Sequence, residues 1–182
     1  MCKEQKLRHL QRYLANIAIG PTTLRNQGPP GVRREAIEFL EGLDLRRLKR
    51  TKPRDYRRVL NDWTEKLMGS LPRGARKNFG AARKAINLFM VQVYFNRELA
   101  AQYRLRRFAN FLETPLDLRA ASKVRRHAQE KCGRHELCRW QGIRNLTPEV
   151  SQQYQVQARK LGKQLGLPRG ELDIVLWPAD NR

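Results

Sequence analysis

Residues 71–93 read LPRGARKNFGAARKAINLFMVQV, and this stretch decides the fold. Pro72 and Gly74 signal a turn. Beyond it, Phe79, Ala82, Ala85, Ile86, Phe89, Met90 and Val93 recur at three- and four-residue steps, the stripe of a helix facing a core. The spacing predicts a helix whose first turn holds Lys77, at an end that already carries partial positive charge. Lys77 stands among Arg73, Arg76 and Arg83. Like charges this close disfavour the protonated amine, which is how a nucleophilic lysine is prepared. The other reading is a solvated lysine that grips phosphate.

Outward from this stretch the chain continues to read as helices. Residues 3–19 carry Leu7, Leu10, Leu14, Ile17 and Ala18 on one face, and residues 32–43 make a shorter helix stopped near Gly42. A strongly basic run over 46–58 is broken by Pro53. Residues 54–68 form a third helix with Tyr56, Val59, Leu60, Trp63 and Leu67 inward. The central helix is expected to bend near Asn96 and continue towards Phe111. Helices over 117–129 and 148–165 follow, the second capped by Thr147 ahead of Pro148. A last short helix is expected near the end of the chain. No strand-like alternation or internal repeat is visible. The expectation is an all-α fold, a single domain over 1–182 with two small lobes around a cleft, divided into N-terminal helices (1–70) and a hairpin, catalytic and pocket region (71–182).

Charge narrows the partner. The chain has 182 residues and a net charge of +21, yet 40% of its residues are apolar. That combination describes a folded protein that meets a polyanion rather than a disordered basic tail. DNA or RNA is the natural partner and an anionic membrane surface the second. No apolar run approaches the ~20 residues that span a bilayer, and MCKEQKLRHLQRYL lacks the apolar centre of a signal peptide. Three cysteines without an export signal point to reduced thiols in the cytoplasm, with the protein associated with the nucleoid and monomeric.

Three short elements carry a family resemblance. Leu71-Pro72-Arg73-Gly74-Ala75-Arg76-Lys77 resembles the hairpin of helix-hairpin-helix DNA glycosylases, whose glycines turn the chain before a catalytic lysine; this copy has one glycine where the pattern has two. Pro115, Asp117 and Arg119 resemble the Pro-x-Asp-x-Arg element of the same superfamily. Lys77, Ala82 and Lys84, followed by Leu172, Asp173 and Trp177, are most similar to the archaeal 8-oxoguanine glycosylase branch. The likeness spans 71–177, and the first 50 residues match only as generic helices.

The resemblance implies Lys77 and Asp117 as catalytic residues. A carboxylate stabilises the positive charge that builds on deoxyribose as the N-glycosidic bond breaks, while a lysine amine that attacks C1′ forms a Schiff base and permits strand cleavage. Asp117 can equally serve as a helix N-cap after Pro115, and the two roles are compatible. The resemblance also implies a base pocket of Lys84, Asp173 and Trp177. Trp63 joins it only by lying in the preceding helix, and core packing is its competing reading. Arg73, Gly74, Arg76, Arg83 and Arg119 are the expected DNA contacts.

His127, Cys132, His135 and Cys138 are metal-capable and close in sequence, but a paired Cys-x-x-Cys spacing is missing and Arg134 and Arg139 repel a cation, so no metal or other cofactor is expected. The expected partner is double-stranded DNA containing a modified base. Oxidised guanine is the base that the resemblance implies; a hypermodified base of phage DNA, such as a glucosylated cytosine, is the alternative, in a defence role. The competing class is a non-enzymatic nucleic-acid-binding protein in which Lys77 grips phosphate.

Overall fold

A computed structural model describes residues 2–132 and 137–176, with side chains over 2–130 and 137–176. Among the described residues the regular structure is entirely helical: α1 (Lys3–Ala18), α2 (Val32–Glu41), α3 (Arg46–Arg50), α4 (Tyr56–Ser70), α5 (Phe79–Phe95), α6 (Arg97–Tyr103), α7 (Leu118–Cys132), α8 (Pro148–Leu165) and α9 (Asp173–Leu176), with short 3-10 turns between several of them. The all-α expectation holds.

The hub is α5, which packs on α1, α2, α4 and α6. Its stripe is buried as the periodicity predicts, with Ala82, Ala85, Ile86, Phe89, Met90 and Val93 nearly or fully inaccessible. Its start differs from the prediction. Asn78 is the N-cap, accepting from Ala81 N at 2.9 Å, so Lys77 lies in the turn ahead of the helix rather than in its first turn. The same asparagine donates to the Gln27 carbonyl at 2.7 Å and ties the 71–78 turn to the loop after α1. The short polar side chain ends the turn and begins the helix in one residue.

The far end of α5 breaks at Asn96, where the bend is expected. Asn96 closes α5 and, accepting from Leu99 N at 3.0 Å, opens α6. Arg104 then adopts a left-handed conformation at φ 57, which ends α6 at Tyr103, and a 3-10 turn over Leu105–Phe108 carries the chain on towards Phe111. In the other direction α8 keeps its predicted bounds, from the Thr147 cap to Gly166 at φ 68.

The apolar side chains form two clusters. The first runs from Leu7 to Leu112 and the second from Leu116 to Leu176, with Phe79, Leu137, Trp140 and Val150 packed against the second. The cores therefore part at residues 113–115, not at 70, because α5 and α6 complete the N-terminal core. Gln155, fully buried, clasps this crossing: it accepts from Thr114 N at 3.0 Å and donates to the Thr114 carbonyl at 2.7 Å. A second junction lies at Gly80, where an added Cβ would stand 1.8 Å from the Ile143 carbonyl oxygen. Only glycine lets the backbone of the second lobe come this close to α5.

Candidate functional site

Where the two cores face each other, a cleft of about 550 Å³ opens, lined by Lys84, Asp117 and Asp173 together with Thr22, Thr23 and Gln92. Ile17, Ala18 and Leu88 supply its apolar wall. Residues 84, 117 and 173 are far apart in sequence, and three separate elements deliver them: the middle of α5, the start of α7 and the start of α9. Lys84 is placed by the helical phase of α5, its side chain 11% exposed.

Asp117 divides its two oxygens. Oδ1 accepts from Ala120 N at 3.0 Å and so caps α7, while Oδ2 lies 3.9 Å from Lys84 Nζ. The capping and site readings of this residue thus coexist. Burial pulls the Lys84 ammonium below the usual lysine range, although the Asp117 and Asp173 carboxylates both favour its charged form. Burial pushes the Asp173 carboxyl up to about 6; the negative charge of Asp117 adds to the rise and Lys84 opposes it. The cleft therefore offers an ammonium donor, a carboxylate of fixed orientation and a second carboxyl that changes charge just below neutral pH. Its size suits a small organic ligand or one extruded nucleotide.

The remaining sequence-based candidates fall elsewhere. Lys77 is exposed on the turn ahead of α5 and does not line the cleft. Arg73, Gly74 and Arg76 are exposed on the same turn, with Arg76 Nε donating to the Leu71 carbonyl at 3.4 Å. Arg119 is exposed in the first turn of α7.

Arg83 corrects the expectation of a DNA contact. It is 5% exposed, hydrogen-bonded to Asn61, and holds Nε 3.6 Å from Glu113 Oε2, with its guanidinium over the Phe79 ring at 5.0 Å. The cause is helical phase: Phe79, Arg83 and Asn87 lie four apart on the inward side of α5. Trp63 is likewise corrected, being 3% exposed inside the N-terminal core and absent from the cleft lining. Ile17, expected in the core, is 46% exposed and forms part of the cleft wall.

Trp177 lies outside the described residues, as do the side chains of Cys132 and His135. Of the four metal-capable residues considered, His127 is half-buried on α7 and Cys138 is exposed. Among the described residues no cluster of three or more histidine, cysteine or acidic side chains is arranged to hold a metal. Nor is any helix among them long and apolar enough to cross a membrane.

Sequence reasoning missed the loop contribution to the cleft, Thr22 and Thr23, and also Gln92. Gln92 had a legible signal, since it stands two turns beyond Lys84 on the same helix with Leu88 between them. The threonines had none, because the path of the loop after α1 depends on the Asn78–Gln27 bond. Comparison of the chain with family models, with curated proteins and with solved structures finds no match.

Proposed function

We propose that the protein is a DNA glycosylase that draws a modified base out of duplex DNA into the cleft and cleaves its N-glycosidic bond. The observation that carries this reading is the convergence of Lys84, Asp117 and Asp173, from three distant segments, on one cleft. These are residues on which the resemblance to the archaeal 8-oxoguanine glycosylases rests. The net charge of +21 supplies the affinity for the phosphate backbone, and Arg73 and Arg76, exposed on the turn ahead of α5, provide a grip.

The roles follow from depth. An extruded base enters first and its deoxyribose stays near the mouth, still tied to the strand. Lys84, with its side chain 11% exposed, and Asp173, half-buried, read the base edge, one as a donor and the other as acceptor or donor according to its charge. Asp117, half-exposed and held by its capping bond, keeps a negative oxygen where positive charge develops on the sugar. Lys77, outside the lining and towards the DNA-facing turn, provides the amine. Its lone pair forms the bond to C1′ as the bond from C1′ to the base breaks, the departing base takes up a proton, and ring opening gives the Schiff base that permits strand scission. Oxidised guanine and a hypermodified phage base are the substrate candidates, for repair or for phage defence respectively.

The test uses wild-type protein, Asp117→Asn and Lys77→Ala on a panel of duplexes, each with one modified base. Wild type releases one of the bases and is trapped on that duplex by borohydride. Asp117→Asn binds the duplex but releases base at least about 100-fold more slowly, and Lys77→Ala loses the trapped adduct together with the nick. Binding without release of any base by wild-type protein would remove the glycosylase reading. The exposure of Lys77 favours, as a second reading, a non-enzymatic DNA-binding protein whose 71–78 turn grips phosphate. In that case Lys77→Ala does no more than make the salt dependence of binding shallower.

A further inference from the structure

A second charged surface lies at the other end of the molecule, around α3. Leu45 and Leu48 are buried beneath it, so the RRLKR sequence of this helix turns its basic side chains outward. A groove of about 490 Å³ is lined by Arg46, Arg47, Arg50, Lys52 and Arg58 against two acids, Asp44 and Asp55, and an adjoining one of about 430 Å³ by Lys3, Arg8, Arg46, Lys49 and Arg50 against one, Glu4. Glu4 occupies Arg46 and Arg8, and Asp62 occupies Arg47 and Lys66. Among the described residues Lys49, Arg50, Lys52 and Arg58 are exposed without an ion pair.

The surface is held in place by Arg107, whose Nη2 donates to the carbonyls of Leu48, Lys49 and Thr51 at 2.6, 2.9 and 2.9 Å. The Arg47 carbonyl accepts from Thr51 Oγ1 at 2.9 Å. The negative end of α3, which would repel an anion, is thus covered by a guanidinium and a hydroxyl.

This surface and the cleft share no residue. Helix α1 separates them: Lys3, Leu7 and Arg8 border the basic grooves, while Ile17 and Ala18 line the cleft. Sixteen residues of helix put its ends about 24 Å apart. Helix α4 likewise starts beside the basic groove and ends at the 71–78 turn.

We propose that the α3 surface binds a second stretch of duplex DNA, so that one molecule bridges two duplexes. The composition of the surface selects this partner. The larger groove has Val59 as its sole apolar side chain, and that side chain is 3% exposed, leaving nothing to insert into a lipid surface. Neither groove presents an exposed aromatic side chain on which unpaired bases would stack, since Tyr103 is 8% exposed. Arginines and lysines on a fixed platform match the regular phosphates of a double helix. The proposal rests on the DNA reading of the cleft only for where the first duplex sits.

The experiment loads wild-type protein on an immobilised unmodified duplex, washes, and adds a second, fluorescent duplex. Wild type captures the second duplex in proportion to the protein loaded. The Arg50→Glu/Lys52→Glu/Arg58→Glu variant loads on the first duplex but captures the second at least about tenfold less. The corresponding glutamine variant falls in the same direction by a smaller factor. Equal capture by the charge-reversed and wild-type proteins would overturn the proposal. So would capture that grows with the square of the protein loaded, the mark of a protein dimer, or displacement of the second duplex by single-stranded RNA at lower concentration than by duplex DNA. Excision of a modified base by the charge-reversed variant, measured separately, reports on the cleft and is expected to be unchanged.

Discussion

Among the described residues, only one of the two carboxylates of the cleft has a hydrogen bond from the backbone. Asp117 is oriented by a hydrogen bond to α7, whereas burial and the nearby negative charge act on Asp173. The ionised form of Asp173 is less favourable in the folded protein than in the unfolded chain. Its folded value of about 6 stands above the ordinary 3.8, so the folded state binds the extra proton between these values. Stability contributed at this residue is therefore present at low pH and lost as pH rises from about 4 to about 6, by at most roughly 3 kcal/mol. Asp173→Asn is expected to flatten that slope and to raise stability at pH 7.5 relative to wild type, while leaving stability at about pH 3, below both values, nearly unchanged. Urea unfolding at the two pH values measures it, and equal slopes for the two proteins would show that Asp173 is not held in this state. Lys84 is the reciprocal case, a lysine whose charged form is disfavoured by burial and favoured by its two acid neighbours.

At the scale of the element, α5 carries both the core and the site, and its sequence shows how much of each could be read beforehand. The stripe of Ala85, Ile86, Phe89, Met90 and Val93 fixed its inward face by spacing alone, whereas Lys84, between two buried neighbours, was placed at the pocket by the resemblance. Arg83 was misread because its charge was taken as a sign of solvent, although the period of the helix puts it inside. Its ion-pair partner, Glu113, lies thirty residues later in a segment without regular structure, and no local pattern announces that partner. Trp63 was legible as core from its own helix, and its suggested pocket role came only from proximity in sequence. The turn 71–78 was visible from Pro72 and Gly74, but the capping role of Asn78 moved the helix start past Lys77. Gly80 was the least legible, because its necessity comes from a carbonyl sixty-three residues away. Alanine normally strengthens a helix by about 1 kcal/mol over glycine. Gly80→Ala is expected to do the opposite here and destabilise by about 3 kcal/mol, since the added methyl meets backbone that cannot rotate aside. Thermal unfolding decides the sign: a raised melting temperature would mean that the second lobe does not sit on α5 as described.

On the scale of the whole molecule, two apolar cores are joined by a short crossing, and the charge is spread over surfaces at both ends. The crossing depends on Gln155, whose amide satisfies both backbone groups of Thr114 in a fully buried position. Gln155→Leu fills similar space but leaves a buried N–H and carbonyl without partners, at a cost of about 2–5 kcal/mol. The residues lining the cleft come from both sides of this crossing, so excision in the variant is expected to fall at temperatures where helical content, followed by circular dichroism, is still intact. Parallel loss of activity and helix on heating would show instead that the two cores unfold as one unit. The position of the crossing also bears on how the protein is made. Every side chain of the first core is supplied by residue 112, while the cleft needs Asp117 and, last of all, Asp173. At about 5–20 residues per second, a ribosome has the parts of the basic N-terminal half in place for several seconds before the final acid emerges. Under the proposed glycosylase function, a nascent chain is drawn to nucleic acid before it holds any means of damaging it.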